Sequence, residues 1–166
     1  MSHNVAGEAE ERFQRALDIG YALINRRDRT VSEVRVRLER KGVPESLCEV
    51  AVRTLSEQGF VDDERFARLF VSDKRELEQW GSERIRRGLL ARGIERELAD
   101  ATLAQPGVAG DGEERELDRA LALLRRRFPH PLEERRERDR ALGMLLRKGY
   151  ESELALDALA AHARGD

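Results

Sequence analysis

The chain has 166 residues and a formal net charge of −2; 39% of its residues are charged and only 5% are aromatic. Four prolines and the near absence of alternating Val, Ile and Thr argue against β-sheets, and the small net charge argues against a global attraction to nucleic acid. No apolar run approaches the roughly 20 residues of a membrane helix, and residues 1–10 contain no apolar signal core. The lone Cys48 excludes an internal disulfide and fits a reducing cytoplasm, so we expect a cytoplasmic protein. The composition predicts that its fold is all-α.

The first predicted repeat covers residues 8–59 and follows a loose N-terminal tail at residues 1–7. Apolar residues at helical spacing predict three helices in this repeat. Thr30 or Ser32 is placed to cap the second of them, because a hydroxyl can accept a backbone N–H at a helix start. Gly59 is predicted to end the third helix.

The second predicted repeat covers residues 60–104. Asp62 or Asp63 suits the N-terminus of its first helix, where a carboxylate accepts backbone N–H groups and favours the positive end of the helix dipole. Ser82 is predicted to cap the second helix. The inward-facing side chains of the first helix are predicted to be Phe66, Leu69, Phe70 and Leu77.

The third predicted repeat covers residues 113–163 and follows a Gly/Pro-rich joint at residues 105–112. Its helices are predicted at about 113–127, 132–148 and 151–161. The same order of helices therefore occurs three times along the chain.

One ten-residue pattern, Leu-x-x-Lys/Arg-Gly-apolar-x-x-x-Leu, repeats with glycines 51 and 56 residues apart. The glycine is predicted to lie just past a helix C-terminus in a left-handed conformation, with the following apolar residue folded back on the first leucine. Three matches with the same apolar positions predict three copies of one structural unit. The three copies of the pattern begin at Leu38, Leu89 and Leu145.

Positive charge is concentrated in three windows that cover the second helix of each repeat and the connection before it. Residues 26–41, 74–96 and 125–148 carry net charges of +4, +3 and +5, which leaves −14 for the rest of the chain. If the repeats stack with one constant rotation, these helices align as a discontinuous basic stripe. Such a stripe predicts a surface for a polyanion, or for a protein bound to one.

The alternative interpretation is that Arg-rich helices have ordinary solvated faces with ion pairs one turn apart. Trp80, beside the second window, is the main candidate for stacking on a nucleobase, although a buried Trp that wedges two repeats together is the alternative. The candidate contact residues for the polyanion or partner are Arg35, Arg37, Arg40, Lys41, Lys74, Arg75, Arg84, Arg86, Arg87, Arg92, Arg140 and Lys148.

No sequence pattern nominates a catalytic site, a metal site or a cofactor. The chain has no phosphate-binding glycine loop, and His3, His130 and His162 have no second ligand at metal spacing. The acidic run at residues 62–64 invites a metal interpretation, but a helix start explains it better. We therefore expect a protein that is not an enzyme and needs no cofactor.

Three stretches of the sequence resemble the RecX regulatory proteins, which modulate the RecA recombinase of bacteria. They are Gly-Phe-Val-Asp-Asp-Glu-Arg-Phe-Ala at residues 59–67, Trp-Gly-Ser-Glu-Arg-Ile at 80–85 and Leu-Leu-Ala-Arg-Gly-Ile at 89–94. Residues 22–43 are similar to the first unit of the family. The third unit matches more loosely, mainly through Arg-Lys-Gly at residues 147–149.

This resemblance implies three tandem three-helix repeats in an elongated, curved array without catalytic activity. It implies a RecA filament on single-stranded DNA as the partner, bound in the filament groove by a monomer that reaches the DNA directly or through RecA. It further implies suppression of the RecA ATPase and of strand exchange, and so a role in DNA repair, recombination and the SOS response.

Two other functions are compatible with the residues alone. A helical-repeat module could bind nucleic acid without a partner, or a repeat adapter could bind some other protein on its concave face. Measuring DNA affinity in the absence of RecA separates the first of these from a RecA regulator.

Overall fold

The structure, a computed structural model, describes residues 2–105 and 112–165. Within these ranges every regular element is an α-helix, and the all-α, tandem-repeat prediction is confirmed. The predicted joint at residues 105–112 falls almost wholly outside the described residues. The helices are α1 Ser2–Ile24, α2 Val31–Arg40, α3 Glu45–Glu57, α4 Asp63–Glu76, α5 Ser82–Leu90, α6 Arg96–Ala104, α7 Gly112–Arg127, α8 Arg135–Lys148 and α9 Ser152–Arg164.

The N-terminal residues differ from the prediction of a loose tail. Helix α1 begins at Ser2 and not at residue 8. Residues 8–11 are Glu, Ala, Glu and Glu, which are strong helix formers, and Gly7 alone does not stop a helix. The side chains of residues 6–12 are exposed, so this part of α1 is supported by helix propensity and by continuity with its buried second half.

The repeated glycine pattern forms helix stops in the predicted way. Gly42 and Gly93 both have φ +77°, and Gly149 has φ +91°, the left-handed region in which glycine carries no steric penalty. The backbone N–H of Val43 donates to the carbonyl of Leu38 at 3.1 Å, which is the hydrogen bond expected of a Schellman stop. Tyr150 and Leu145 repeat this bond at 3.1 Å after α8.

The chain divides into two compact units, one of Met1–Phe66 with Arg92–Ile94 and one of Ala67–Ala91 with Glu95–Asp166. A core in the first unit packs α1, α2 and α3 around Leu38 and Leu55, neither of which is exposed to solvent. Cys48 belongs to this core, and its burial raises the pKa of the thiol. A second core packs α7, α8 and α9.

The buried face of α4 differs from the predicted one. Leu69 and Leu77 are 49% and 79% exposed, whereas Ala67 and Val71 are completely buried. The prediction gave most weight to the large side chains, but Ala67 and Val71 lie one turn apart and continue the buried face that begins at Phe66. Leu77 lies beyond the end of the helix.

The acidic residues before α4 act as structural acceptors. Asp62 accepts the backbone N–H of Arg65 at 2.9 Å and so caps α4, as predicted. Asp63 accepts the backbone N–H of Val31 at 2.9 Å within the first unit. Over the described part of the chain, no cluster of three or more metal-binding side chains occurs, and no helix is long and apolar enough to cross a bilayer.

Candidate functional site

The N-terminus of α5 lies directly on the glycine turn that follows α8, and both belong to the second unit. The N–H of Gly81 donates to the carbonyl of Lys148 at 2.8 Å, and the N–H of Glu83 donates to the carbonyl of Gly149 at 3.1 Å. A Cβ added to Gly81 would lie 2.5 Å from the nitrogen of Tyr150. Glycine is therefore required here by close backbone approach, and this contact brings the second and third basic windows together.

The loop before α5 is fixed by side chains of the third repeat. Gln79 has φ +55°, which is unusual for a residue with a side chain. Its carbonyl accepts the hydroxyl of Tyr150 at 3.2 Å, and the carbonyl of Glu78 accepts Nζ of Lys148 at 2.7 Å. Arg126 also donates to the side chain of Gln79 at 2.8 Å. These contacts hold the loop, and with it the first turn of α5, against α8.

The first unit contains a corresponding contact at the glycine turn that contains Gly93. The hydroxyl of Thr30 donates to the carbonyl of Arg92 at 2.6 Å, and a Cβ on Gly93 would overlap the side chain of Ser32. Thr30 also caps α2 in a capping box with Glu33, which decides between the two predicted caps. In both cases the N-terminus of the second helix of one repeat packs on the glycine turn of the following repeat.

Two of the predicted contact residues, Arg84 and Lys74, pack on the ring of Trp80. The guanidinium carbon of Arg84 lies 4.1 Å from the centre of its indole ring, and Nζ of Lys74 lies 4.7 Å from it. Phe70 meets the same ring edge to face at 6.4 Å. The half-buried indole is therefore held by residues of its own repeat, in cation–π geometry. Arg84 also donates to the carbonyl of Arg147 at 3.0 Å.

Arg75 is not part of an exposed face, and the prediction is wrong for this residue. Its side chain is only 7% exposed and donates to the hydroxyl of Ser82 at 3.3 Å. Burial lowers the pKa of Arg75 to about 10, nearby Arg119 lowers it further, and Glu116 opposes the shift. A buried guanidinium in this position is not accessible to a polyanion.

Ser82 does not cap α5, contrary to the prediction. The N-cap is Gly81, and the acceptor is Glu116 on α7. Glu116 accepts the backbone N–H of Ser82 at 2.7 Å and the hydroxyl of Ser82 at 2.6 Å. A carboxylate from another helix thus replaces the local cap and adds favourable charge at the positive end of the helix.

The other predicted contact residues fall into three groups. Some are held in ion pairs: Arg35 with Glu49 at 2.9 Å, Arg86 with Asp100 at 2.6 Å and with Glu83, and Lys74 with Glu78. The hydrogen bond to Asp100 raises the pKa of Arg86. Arg92 and Lys148 are half-buried. The exposed members are Arg37, Arg40, Lys41, Arg87 and Arg140.

Two clefts with basic rims lie between the first and second helices of a repeat. The first-repeat cleft, of about 440 Å³ between α1 and α2, has a floor that includes Ile19 and Leu23. The third-repeat cleft, of about 670 Å³ between the end of α7 and α8, has Phe128 and Met144 in its lining. The basic residues of the first are Arg15, Arg26, Arg37 and Lys41, and those of the third are Arg127, Arg136, Arg140 and Arg147.

Seven of these eight basic residues, all except Arg15, lie in the first and third charge windows. Only Arg37, Lys41 and Arg140 were among the candidate contact residues, so selection by window did not single out most of the cleft residues. A helical signal was available for α8, because Arg136, Arg140 and Arg147 follow one another at spacings of four and seven residues and so share one face. Arg127 lies on another helix, and its place beside that face is visible only in the structure.

Three family models match consecutive parts of the chain. They describe the first, second and third three-helix domains of RecX, and they match residues 16–60, 62–103 and 113–159. Two curated relatives are both named "Regulatory protein RecX". The relative from Trichlorobacter lovleyi is 33% identical over 136 residues, which are 80% of this chain and 85% of the relative. The relative from Amycolatopsis mediterranei is 32% identical over 157 residues, which are 93% and 87%.

Two solved structures have a similar fold. The crystal structure of RecX from Lactobacillus salivarius superposes with a TM-score of 0.78 at 17% identity, covering 95% of this chain and 99% of that one. A second crystal structure, of a regulatory protein RecX, gives a TM-score of 0.74 at 22% identity and covers 100% and 78%. At these identities the superpositions show a shared fold.

Proposed function

This chain belongs to the RecX family of regulatory proteins, and from that membership we propose that it binds a RecA filament on single-stranded DNA and lowers the ATPase and recombinase activities of RecA. Regulation on this proposal is stoichiometric, because binding alone changes the turnover of the filament. The protein acts as a cytoplasmic monomer in recombinational DNA repair and the SOS response.

The proposal depends most on the contact between Gly81 and Gly149, which brings the second and third basic windows together. Arg84, Arg147 and Lys148 lie at this contact, where Arg84 donates to the carbonyl of Arg147 and Lys148 donates to the carbonyl of Glu78. Fixed cations bind a polyanion with a smaller loss of side-chain entropy than mobile ones. A filament of protein on DNA presents repeated phosphate charge, which suits such an arrangement.

The intramolecular ion pairs of this surface are compatible with partner binding. Exposed pairs such as Arg35–Glu49 contribute only about 0–1 kcal/mol each to stability, so a phosphate or a partner carboxylate can displace the internal acid at small cost. The exposed residues Arg37 and Arg87, on the second helices of the first two repeats, are the strongest candidates for direct contact.

The direct test is the DNA-dependent ATPase of RecA at rising concentrations of this protein. We expect the rate to fall and then saturate, and an unchanged rate at stoichiometric excess would refute the proposal. The double variant Arg37→Glu/Arg87→Glu should inhibit less, because both substitutions replace attraction by repulsion. A matched control, Arg53→Glu/Arg68→Glu, changes the net charge by the same amount at exposed positions outside the three windows.

A further inference from the structure

The third-repeat cleft is built for an anion. Its lining contains the guanidinium groups of Arg127, Arg136, Arg140 and Arg147, and a single carboxylate, that of Asp139. The cleft lies within one repeat and therefore within one compact unit. Four cations against one acid around an open cleft of about 670 Å³ favour a ligand with several negative charges.

The spacing of the arginines favours a ligand whose charges follow one another along a line. Arg136 and Arg140 are one turn apart on α8, and Arg147 lies about two turns further along the same face. At 1.5 Å per residue, the three positions span about 16 Å of the helix axis. A nucleic-acid strand carries one phosphate per nucleotide and matches such a row, whereas a small anion would occupy one arginine or two.

Besides its arginines, the cleft has an apolar floor on which a nucleobase can pack. Phe128 and Met144 line the cleft and are half-buried, because both pack against the core of the third repeat. Packing against the core restricts the rotamers of the Phe128 ring. Single-stranded nucleic acids bind where a basic groove follows the backbone and an aromatic ring stacks on a base.

Gly143 leaves the space in which the guanidinium of Arg147 lies. A Cβ at this mid-helix position would lie 3.0 Å from Nη1 of Arg147, so the guanidinium lies back along α8 over a residue without a side chain. The carbonyl of Arg147 also accepts Nη1 of Arg84 at 3.0 Å. Arg147 therefore belongs both to the lining of the cleft and to the contact where the second and third basic windows meet.

We propose that the third-repeat cleft binds a short stretch of single-stranded nucleic acid, with phosphates on its four arginines and one base against Phe128. The inference rests on the proposed function for the choice of single-stranded DNA as ligand, but the binding itself needs no RecA. An acidic peptide has the charge but no aromatic base for the floor, and it is treated as an outcome of the test.

The test is fluorescence anisotropy of a labelled oligothymidylate of about a dozen nucleotides, titrated with the full chain at several salt concentrations. Arg136→Gln/Arg140→Gln should weaken binding on the order of tenfold and reduce the salt slope by about 1.4, since each phosphate contact contributes about 0.7 for single strands. Phe128→Leu should weaken binding about fivefold or more without changing the slope. Asp139→Asn should strengthen binding about twofold, an effect that a structural role would not produce.

The control is Arg53→Gln/Arg68→Gln, which should bind like the parent chain. Wild-type affinity in the Arg136/Arg140 variant, or in a folded Phe128→Leu variant, would overturn the proposal. So would poly-glutamate that competes as well as unlabelled oligothymidylate. If Phe128→Leu lowers the melting temperature, the exposed arginine pair and the competition decide the outcome.

The two proposals fail separately. If the cleft variants bind the oligonucleotide normally while the parent chain still lowers RecA turnover, the cleft assignment is wrong and the regulatory function stands. If the cleft behaves as expected while RecA turnover is unchanged at excess protein, the regulatory function is wrong and the nucleic-acid site stands.

Discussion

The two contacts between a second helix and the next glycine turn use the same backbone geometry with different chemistry. In the first unit the contact is made by side chains, through the Thr30 hydroxyl on the carbonyl of Arg92 and through Ser32 over Gly93. In the second unit it is made by backbone, through the N–H of Gly81 and that of Glu83. The glycine turn therefore determines where the second helix of the preceding repeat packs, and local residues determine the chemistry of the contact.

On the proposed function this difference matters, because Arg84, Arg147 and Lys148 lie at the second contact. At the second contact Arg84 lies over the Trp80 ring and Lys148 donates to the carbonyl of Glu78, so both cations are held beside the backbone bonds. The first contact buries Thr30 completely and contributes stability with little exposed charge. Substitutions at the two contacts should accordingly differ in how much they lower the free energy of unfolding and in their effect on binding.

The largest effect is expected for Gly149→Ala. An alanine at φ +91° is strained, and its Cβ would also overlap the Cβ of Arg84, so we expect a loss of about 3 kcal/mol or more in the free energy of unfolding. Chemical denaturation followed by circular dichroism measures this loss.

Gly42→Ala is the matched control, because Gly42 has φ +77° but nothing lies within 4 Å of an added Cβ. It should cost about 1 kcal/mol, from backbone strain alone. Equal losses in the two variants would show that the approach of α5 to Gly149 contributes nothing, and the comparison between the contacts would fail.

Glu116→Gln should have the next largest effect, about 2 kcal/mol, because hydrogen bonds to a charged acceptor are stronger than those to an amide. It removes the carboxylate that accepts both donors of Ser82 and that opposes the unfavourable burial of Arg75. Denaturation at neutral pH measures the loss. An unchanged stability would mean that Ser82 and Arg75 find equivalent partners in the variant.

This cap also marks the limit of what the sequence could predict. The glycine stops, the Thr30 cap and the Asp62 cap depend on residues within four or five positions, and each was predictable from local spacing. Glu116 lies 34 residues from Ser82, so its role depends on packing that no local pattern reports. Arg75 shows the same limit, because nothing in a run of charged residues distinguishes the one that the fold buries.

The candidate site was predictable in part for the same reason. Local charge density found the windows and the exposed Arg37, Arg87 and Arg140. The third-repeat cleft combines Arg127 and Phe128, at the end of α7, with a face of α8 beyond a Pro-containing connection. Its aromatic floor is therefore a property of tertiary packing and not of any one window.

Thr30→Ala tests the first contact and should cost about 1–2 kcal/mol. The substitution removes an N-cap acceptor from α2 and leaves the carbonyl of Arg92 without the hydroxyl that donates to it. Thr30→Ser is the control, because it keeps the hydroxyl and should recover most of the loss. Oligonucleotide affinity should be unchanged in a folded Thr30→Ala protein, and a parallel loss of binding would contradict the separation between the two contacts.

The smallest effect concerns a titration that only the second contact has. Tyr150 follows the Gly149 turn, whereas the corresponding residue after Gly93 is Ile94. Burial raises the pKa of Tyr150 from 10.0 to about 12, and Arg119 opposes that shift. The folded state therefore holds the phenol proton at pH values where the unfolded chain has lost it, so stability falls as the pH rises from about 10 towards 12.

Tyr150→Phe isolates the contribution of this titration to stability. Below pH 10 the variant should be less stable by about 1 kcal/mol, because the hydrogen bond to the carbonyl of Gln79 is lost. Between pH 10 and 11 the difference should shrink by about 1 kcal/mol, since one unit of pKa shift corresponds to about 1.4 kcal/mol. Arg75, with its lowered pKa, titrates in the opposite sense in both proteins and largely cancels in the difference. Urea denaturation at pH 8, 10 and 11 measures the difference in the free energy of unfolding between the parent chain and the variant. A difference that stays constant across these pH values would show that the phenol is not buried at the second contact.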